Sequence, residues 1–171
     1  MKKQDLLKRI EPLFFDKTYK EVSLQNIADI FQIKKSSLYY YFESKDDLYI
    51  QLLNYSFENY KLFLNSIFDM EMKIFIKEFL YFPQKSKNFF SIINQNGYCN
   101  NPTLKKEIME KQYEMLDFIN IKLSEKYWFS KAKSFVFISL LEDIWRKKCL
   151  FWECPLDIDN VILEINTLFK K

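Results

Sequence analysis

Apolar residues three and four positions apart predict a short helix, a tight turn and a second short helix near the start of the chain. From Leu24 to Phe31 the apolar side chains fall at i, i+3, i+4 and i+7, the spacing of one helix face. Ser23, just before them, carries the hydroxyl of a good N-cap. Only Gln32 and Ile33 separate this helix from the next, so the chain must turn sharply. We expect Gln32 to adopt a right-handed helical or bridge conformation.

The second short helix has an apolar side and a polar side. Leu38, Tyr41 and Phe42 are spaced to face inward. The other side carries ammonium, hydroxyl and phenol groups from Lys34, Lys35, Ser36, Ser37, Tyr39 and Tyr40. Taken singly, a run of tyrosines is usually core or ordinary surface, and a lysine pair is usually only solvated. Their order after an apolar helix and a turn favours a helix-turn-helix that enters the major groove of DNA.

Capping signals predict further helices along the chain. Ser44 and Asp47 form a capping-box pattern that opens a long helix running towards Phe68. Pro12 lies inside the apparent first helix, where we expect a kink or a late start. Asn101 before a proline, and the side chains of Ser130 and Asp157, open later helices. The predicted ranges are 71–81, 87–94, 102–126, 131–151 and a last helix from 158.

Composition favours an all-α chain and excludes several kinds of site. Gly97 is the single glycine, whereas hairpin turns and phosphate-binding loops need several. There is no histidine, so histidine catalysis and histidine metal ligation are absent by inspection. The three cysteines lack CxxC spacing, which favours buried reduced thiols over zinc or disulfides. We therefore expect no enzyme, metal or cofactor. We see no signal peptide or membrane-spanning run, so we expect a cytoplasmic protein with no membrane partner.

The charge that suggests a nucleic acid partner is local. The net charge is only +3. Between positions 34 and 45, however, three lysines stand against Glu43 alone. Together with the polar side of the second short helix and the Ser23 cap, this gives the candidate DNA-binding residues. They are Ser23, Lys34, Lys35, Ser36, Ser37, Tyr39, Tyr40, Tyr41 and Lys45.

Three short motifs in this segment resemble the DNA-binding domain of the TetR family of bacterial transcriptional regulators. They are Ile27-Ala28, Leu38-Tyr39-Tyr40-Tyr41-Phe42 and Ser44-Lys45-Asp46-Asp47-Leu48. The match is specific over about the first 50 residues and only architectural beyond them. The resemblance implies an all-α fold with an N-terminal three-helix helix-turn-helix DNA-binding domain over residues 1–47. A helical ligand-sensing and dimerisation domain would follow over residues 48–171.

The chain departs from the family pattern at three glycine positions. Thr18, Gln32 and Ser36 stand where the family usually has glycine. None of these changes removes a side chain expected to face the groove.

The resemblance further implies a homodimeric repressor that a small-molecule effector releases from double-stranded operator DNA. The predicted recognition helix offers lysine, serine and tyrosine but no arginine or asparagine, the side chains best suited to bidentate base contacts. We therefore expect a palindromic, AT-rich operator recognised largely through DNA shape. The alternative is a helical DNA-binding architectural or interaction protein without a ligand switch.

The ligand pocket and the dimer seam are predicted for the later helices. Aromatic, methionine and carboxylate side chains there suggest a pocket formed by Phe89, Phe90, Tyr113, Met115, Glu142 and Trp145. The competing interpretation of the aromatic and methionine side chains is ordinary core. The last two helices carry more apolar surface than one bundle easily covers, so we expect them to form a dimer seam that includes Ile162 and Ile165. The competing interpretation is a monomeric bundle.

Overall fold

The computed structural model describes residues 2–14, 17–81, 92, 101–150 and 157–169, with side chains omitted for 146–150. Within these ranges the regular structure is helical and contains no strand, so the predicted all-α class is confirmed. None of these helices is long and apolar enough to cross a bilayer. They are α1 (Lys3–Ile10), a 3₁₀ helix (Glu11–Phe14), α2 (Leu24–Phe31), α3 (Lys35–Leu38), α4 (Lys45–Phe68), α5 (Met72–Tyr81), α6 (Pro102–Tyr127), α7 (Lys131–Leu150) and α8 (Ile158–Phe169).

The chain divides into two compact units. The first unit combines Met1–Tyr60 with Lys87–Met115, and the second combines Lys61–Ser86 with Leu116–Lys171. Two helices, α4 and α6, therefore contribute residues to both units. The predicted domain boundary after residue 47 stays a prediction.

Predicted helix caps are present at five helix starts. The side chains of Ser23, Ser44, Asn101, Ser130 and Asp157 each accept a hydrogen bond from a first-turn amide. These bonds satisfy amides that have no partner within the helix. They explain why the predicted starts of α2, α4, α6, α7 and α8 match the structure. The predicted helix over 87–94 lies outside the described residues, apart from residue 92.

The first unit has an aliphatic and aromatic core built on α1 to α4. The α-helical part of the first helix ends at Ile10, and Pro12 lies in the 3₁₀ turn that follows. The chain thus leaves the α-helical geometry before Pro12, which fits the predicted kink and not the late start, because proline cannot donate the hydrogen bond that an α-helix requires. The most buried side chains around it include Leu6, Ile10, Phe14, Ile27, Leu38, Phe42 and Leu48.

Aromatic rings dominate the core of the second unit. The ring of Phe75 in α5 stacks on Phe68 and Phe137, with centroid distances of 5.1 and 6.0 Å. The ring of Phe137 also meets Phe169 edge to face at 4.9 Å. The Lys133 ammonium donates to the Phe169 carbonyl at 3.2 Å and lies 4.4 Å from the ring centroid of Phe129. These contacts join α5, α7 and α8 in one core.

The predicted composition of the dimer seam is wrong in one respect. Ile162 and Ile165 are only 2% and 3% exposed in the single chain, so they belong to its own core. They face inward because α8 has one strongly apolar side, and that side packs against α5. Among the described side chains of α7 and α8, the large apolar ones left exposed are instead Phe135, Val136, Leu163 and Leu168.

Candidate nucleic-acid interface

A reciprocal capping box fixes the start of α2. The Ser23 hydroxyl accepts from the Asn26 amide at 3.0 Å and donates to the Asn26 side-chain oxygen at 2.5 Å. That oxygen also accepts from the Ser23 amide at 3.1 Å. Because its proton is already donated within the chain, Ser23 has only acceptor capacity left for another partner. Its predicted role in DNA binding stays a prediction.

The turn between α2 and α3 uses a left-handed residue. Gln32 has φ 55° and ψ 40°, and its amide donates to the Asp29 carbonyl at 3.1 Å. The next amide, of Ile33, reaches back to the Ala28 carbonyl at 3.0 Å. These bonds satisfy the last carbonyls of α2, as in a Schellman motif, and require positive φ. The expected right-handed or bridge conformation of Gln32 is therefore wrong.

The outer face of α3 is exposed as predicted. Leu38 and Phe42 anchor the segment, since both are almost fully buried. Tyr40 is 86% exposed, and its ring meets Tyr41 edge to face at 5.2 Å. Tyr41 itself is half-buried. The exposed polar side chains are Lys34, Lys35, Ser36, Ser37, Tyr39 and Tyr40. The structure thus brings the predicted cations, hydroxyls and phenols together around one short helix.

The corner between α3 and α4 is held by backbone caps. The Ser44 hydroxyl accepts from the Asp47 amide at 3.0 Å. The Asp47 carboxylate accepts from the Glu43 amide at 2.9 Å. Two amides at the corner, those of Glu43 and Asp47, are therefore satisfied, which fixes the direction in which α4 leaves the α3 segment.

Lys45 is placed differently from the α3 lysines. It is half-buried, and its ammonium lies 4.2 Å from the ring centroid of Tyr19. A cation over a phenol ring is a stabilising arrangement, so this contact within the chain sets the position of the charge. The predicted contact of Lys45 with DNA stays a prediction.

The loop before α2 contains a second local anchor. The Glu21 carboxylate accepts from the Thr18 amide at 2.6 Å and from the Thr18 hydroxyl at 2.8 Å. The backbone bond and then the side-chain bond lower the pKa of Glu21 below its usual value. Thr18 stands where the family usually has glycine, and here its side chain helps to close the turn.

Two cations on α1 lie beside the helix-turn-helix and were missed by the sequence interpretation. The Lys3 ammonium is 5.5 Å from the ring centroid of Phe42, at the end of the α3 segment. The Arg9 guanidinium is 4.3 Å from the ring centroid of Phe31, at the end of α2. Both residues are exposed. The available signal was their position on the polar side of a helix whose other side carries Leu6, Leu7 and Ile10.

The predicted ligand-pocket residues are divided between the two units and differ in burial. Phe89 and Phe90 lie outside the described residues. In the first unit Tyr113 is 62% exposed while Met115 is buried, so the two lie on different sides of α6. In the second unit Glu142 is half-buried and Trp145 is buried. The pocket stays a prediction.

The described residues contain an open groove in the second unit. Its volume is about 380 Å³, and its lining residues are Asp117, Asn120, Ile121, Ser124, Glu125 and Lys131. None of these was predicted to line the ligand pocket. Within the described ranges, no group of three or more His, Cys, Asp or Glu side chains is arranged to hold a metal ion.

The fold and the exposed face of α3 define a helix-turn-helix transcriptional regulator, and comparison with known proteins agrees. Residues 4–52 match the profile of "Bacterial regulatory proteins, tetR family". The biofilm operon icaADBC HTH-type negative transcriptional regulator IcaR of Staphylococcus aureus is 31% identical, over 70% of this chain and 78% of that protein. The chain therefore belongs to the TetR family of bacterial regulators.

Solved structures share the fold over nearly the whole chain. AibR in complex with isovaleryl coenzyme A and operator DNA aligns with a TM-score of 0.69 and 16% identity, covering 98% of this chain and 97% of that one. A TetR transcriptional regulator from Legionella pneumophila aligns with a TM-score of 0.68 and 18% identity, covering 96% and 92%. These likenesses confirm the predicted architecture of an N-terminal helix-turn-helix followed by further helices.

Proposed function

We propose that this TetR-family regulator is a repressor that binds a palindromic, AT-rich operator as a homodimer and leaves it when a small molecule binds. The observation that carries the proposal is the exposed face of α3. The segment 34–42, which contains α3 and the residues just after it, presents two lysines, serine hydroxyls and exposed phenols, and the sequence has no acidic residue there. The description of IcaR as a negative regulator supports repression. The complex of AibR with isovaleryl coenzyme A and operator DNA supports a ligand-responsive mechanism.

Different side chains of the α3 segment, residues 34–42, are suited to different parts of the DNA. Lys34 and Lys35 lie at the start of α3, from which a recognition helix reaches base edges. The hydroxyls of Tyr39 and Tyr40, one turn later, are suited to phosphate oxygens. Ser36 and Ser37 supply further hydroxyls, while Ser23, Tyr41 and Lys45 flank this surface. Lys3 and Arg9 add positive charge beside it.

The chemistry of α3 favours an operator recognised by shape. Lysine acts as a point charge and does not form the planar two-bond contact that arginine makes with guanine. Serine and tyrosine bind phosphates and contact thymine methyl groups. Discrimination then depends on groove width and deformability, which favours AT-rich DNA and strong salt dependence.

The dimer would form through the exposed faces of α7 and α8. Phe135 and Val136 on α7, and Leu163 and Leu168 on α8, are all about half exposed or more. Exposed apolar side chains on two helices that share one core suit a protein contact. A two-fold dimer presents the same surface from both copies and places two recognition helices on successive half-sites.

The N-terminal part and the rest of the chain have separate roles. Residues 1–47 form the DNA-binding domain, and residues 48–171 sense the ligand and dimerise. Ligand binding tilts α4 and changes the separation of the two recognition helices, so that they no longer match successive grooves. The protein acts in the cytoplasm, without catalysis or a cofactor.

A band-shift assay tests the function and separates it from the alternative. Wild-type protein should shift DNA from beside its own gene at low nanomolar to micromolar concentration, and acyl coenzyme A thioesters serve as the first ligand probes. Release by one probe supports a ligand switch, whereas specific binding that no probe changes favours the architectural alternative. Absence of any specific shift contradicts the proposal as a whole.

A further inference from the structure

One carboxylate at the start of α4 links three segments of the first unit. Asp46 lies in the first turn of α4. One of its oxygens accepts a hydrogen bond from the Tyr19 hydroxyl, in the loop before α2. The other oxygen accepts from the side-chain amide of Asn101, the residue before α6. The start of the helix that follows α3 is therefore tied both to the loop before α2 and to the start of α6.

The orientation of the Asn101 side chain is set by two hydrogen-bonding roles, one for its oxygen and one for its nitrogen. Its oxygen caps α6 by accepting from the amides of Thr103 and Leu104, at 2.9 and 3.4 Å. Because the oxygen is required for the cap, the amide nitrogen must point the other way, towards Asp46. One amide group thus fixes a helix start and donates to a carboxylate on another helix.

A second bond joins α4 to a later part of the chain. The Tyr49 hydroxyl donates to the Ile92 carbonyl at 2.8 Å, and the Tyr49 side chain is fully buried. Its ring meets that of Tyr19 edge to face at 5.2 Å. Asp46 and Tyr49 are three residues apart, so they lie on one side of α4. This side of the helix is held at both positions by residues outside the DNA-binding motif.

We propose that Asn101 is a positioning residue for DNA binding, which acts through Asp46 on the first turn of α4. That turn follows the capped corner after α3, so its position sets the direction in which α3 is presented. The inference rests on the proposed function and names the point at which α6 controls the DNA-binding element. A dimer must present two recognition helices at a fixed separation, so the effect falls on the palindrome more than on a single half-site.

A reversal of the donor and acceptor tests the hydrogen bond without removing the helix cap. Asn101→Asp keeps a capping oxygen, because aspartate caps helices as well as asparagine does. It removes the donor and places a second carboxylate beside Asp46. Adding Asp46→Asn restores the bond in the opposite direction, since the new amide can donate to the new carboxylate and still accept from Tyr19. Asn65→Asp, at an exposed position on α4, is the control for the added charge.

The readout compares a palindromic operator with a duplex that holds one half-site, at one salt concentration. Both DNAs come from selection with the wild-type protein. Asn101→Asp should weaken palindrome binding roughly tenfold, the size expected for a hydrogen bond to a charged group, and half-site binding less than about twofold. The double variant should recover to within about threefold of wild type. Asn65→Asp should bind both DNAs like wild type.

Three results would overturn the positioning role. They are unchanged palindrome binding by Asn101→Asp, an equal loss on both DNAs, and a double variant as weak as the single one. Hydrogen–deuterium exchange without DNA gives an independent test. Exchange at the start of α4 should be faster in Asn101→Asp and slow again in the double variant, and unchanged exchange also contradicts the link. If wild-type protein selects no DNA, the proposed function fails, and the exchange result still decides whether the link exists.

Discussion

Two exposed surfaces of this protein differ in a way that indicates two kinds of partner. Around α3, the large exposed side chains are Tyr39 and Tyr40, accompanied by Lys34 and Lys35. Among the described side chains of α7 and α8, the large exposed apolar ones are phenylalanine, valine and leucine, which have no polar group. Cations and hydroxyls suit phosphates, whereas bare apolar groups suit another protein surface. The first surface suits DNA, and the second suits the proposed contact with a copy of the same chain.

Neighbouring residues on α8 give the largest expected difference. Ile162 is buried while Leu163 is 49% exposed. Ile162→Asp places a charge in the core and should lower the free energy of unfolding by about 3–5 kcal/mol. Leu163→Asp should change it by less than about 1 kcal/mol. Chemical denaturation with urea measures both.

The same pair tests the dimer surface. Leu163→Asp should yield a folded monomer in analytical ultracentrifugation and lose palindrome binding, because the charge would be buried between two chains. Leu62→Asp, at an exposed apolar position on α4, is the matched control and should leave the association unchanged. A Leu163→Asp protein that dimerises like wild type contradicts the assignment of this face.

The lysine at the start of α3 gives the next largest effect. Lys35→Ala should weaken operator binding by about 1–3 kcal/mol and change the preferred bases if the ammonium contacts a purine edge. Tyr39→Phe removes only a hydroxyl suited to phosphate and should weaken all sequences about equally. Fluorescence anisotropy over a salt series measures both. Lys73→Ala, on the exposed side of α5, is the charge control and should bind like wild type.

The DNA-binding segment could be predicted from sequence because its parts are local. Helix spacing buries Leu38 and Phe42, and caps a few residues away set the starts of α2 and α4. Other features depend on groups that meet only after folding. The bond between Asp46 and Asn101 joins residues 55 positions apart, and no short motif indicates it. The predicted pocket stays a prediction, because periodicity identifies a helix face but not the faces that meet it.

The conformation of Gln32 was missed because its sequence signal, a glycine, is absent. A residue with a side chain costs about 1–2 kcal/mol in the left-handed region. Glycine at this position removes that cost, but part of the gain in stability is lost because glycine is more flexible in the unfolded chain. Gln32→Gly should therefore raise the free energy of unfolding by roughly 0.5–1 kcal/mol. Gln25→Gly, inside α2, should lower it by about 0.5 kcal/mol, and thermal unfolding compares the two. A loss of stability in Gln32→Gly contradicts the geometry of the turn.

A smaller effect is expected from Tyr127 in the second unit. Its hydroxyl donates to the Met70 carbonyl at 2.8 Å. Burial, and then the nearby Asp69 carboxylate, raise its pKa to about 12, from the ordinary value of 10.0. The unfolded chain loses this proton first, so the stabilisation is complete below pH 10 and declines as the pH rises towards 12. Urea unfolding at several pH values should show this decline in wild type and a smaller one in Tyr127→Phe.

Selection from random double-stranded DNA tests the central claim most directly, because it asks whether the α3 surface recognises a palindrome through DNA shape. Wild-type protein should enrich an AT-rich inverted repeat whose half-site centres are about 10 base pairs apart, or a multiple of that spacing. Few positions should be invariant, and the Lys34→Ala/Lys35→Ala double variant should enrich nothing. A GC-rich consensus with many invariant positions, or the same enrichment by the double variant, would contradict the account.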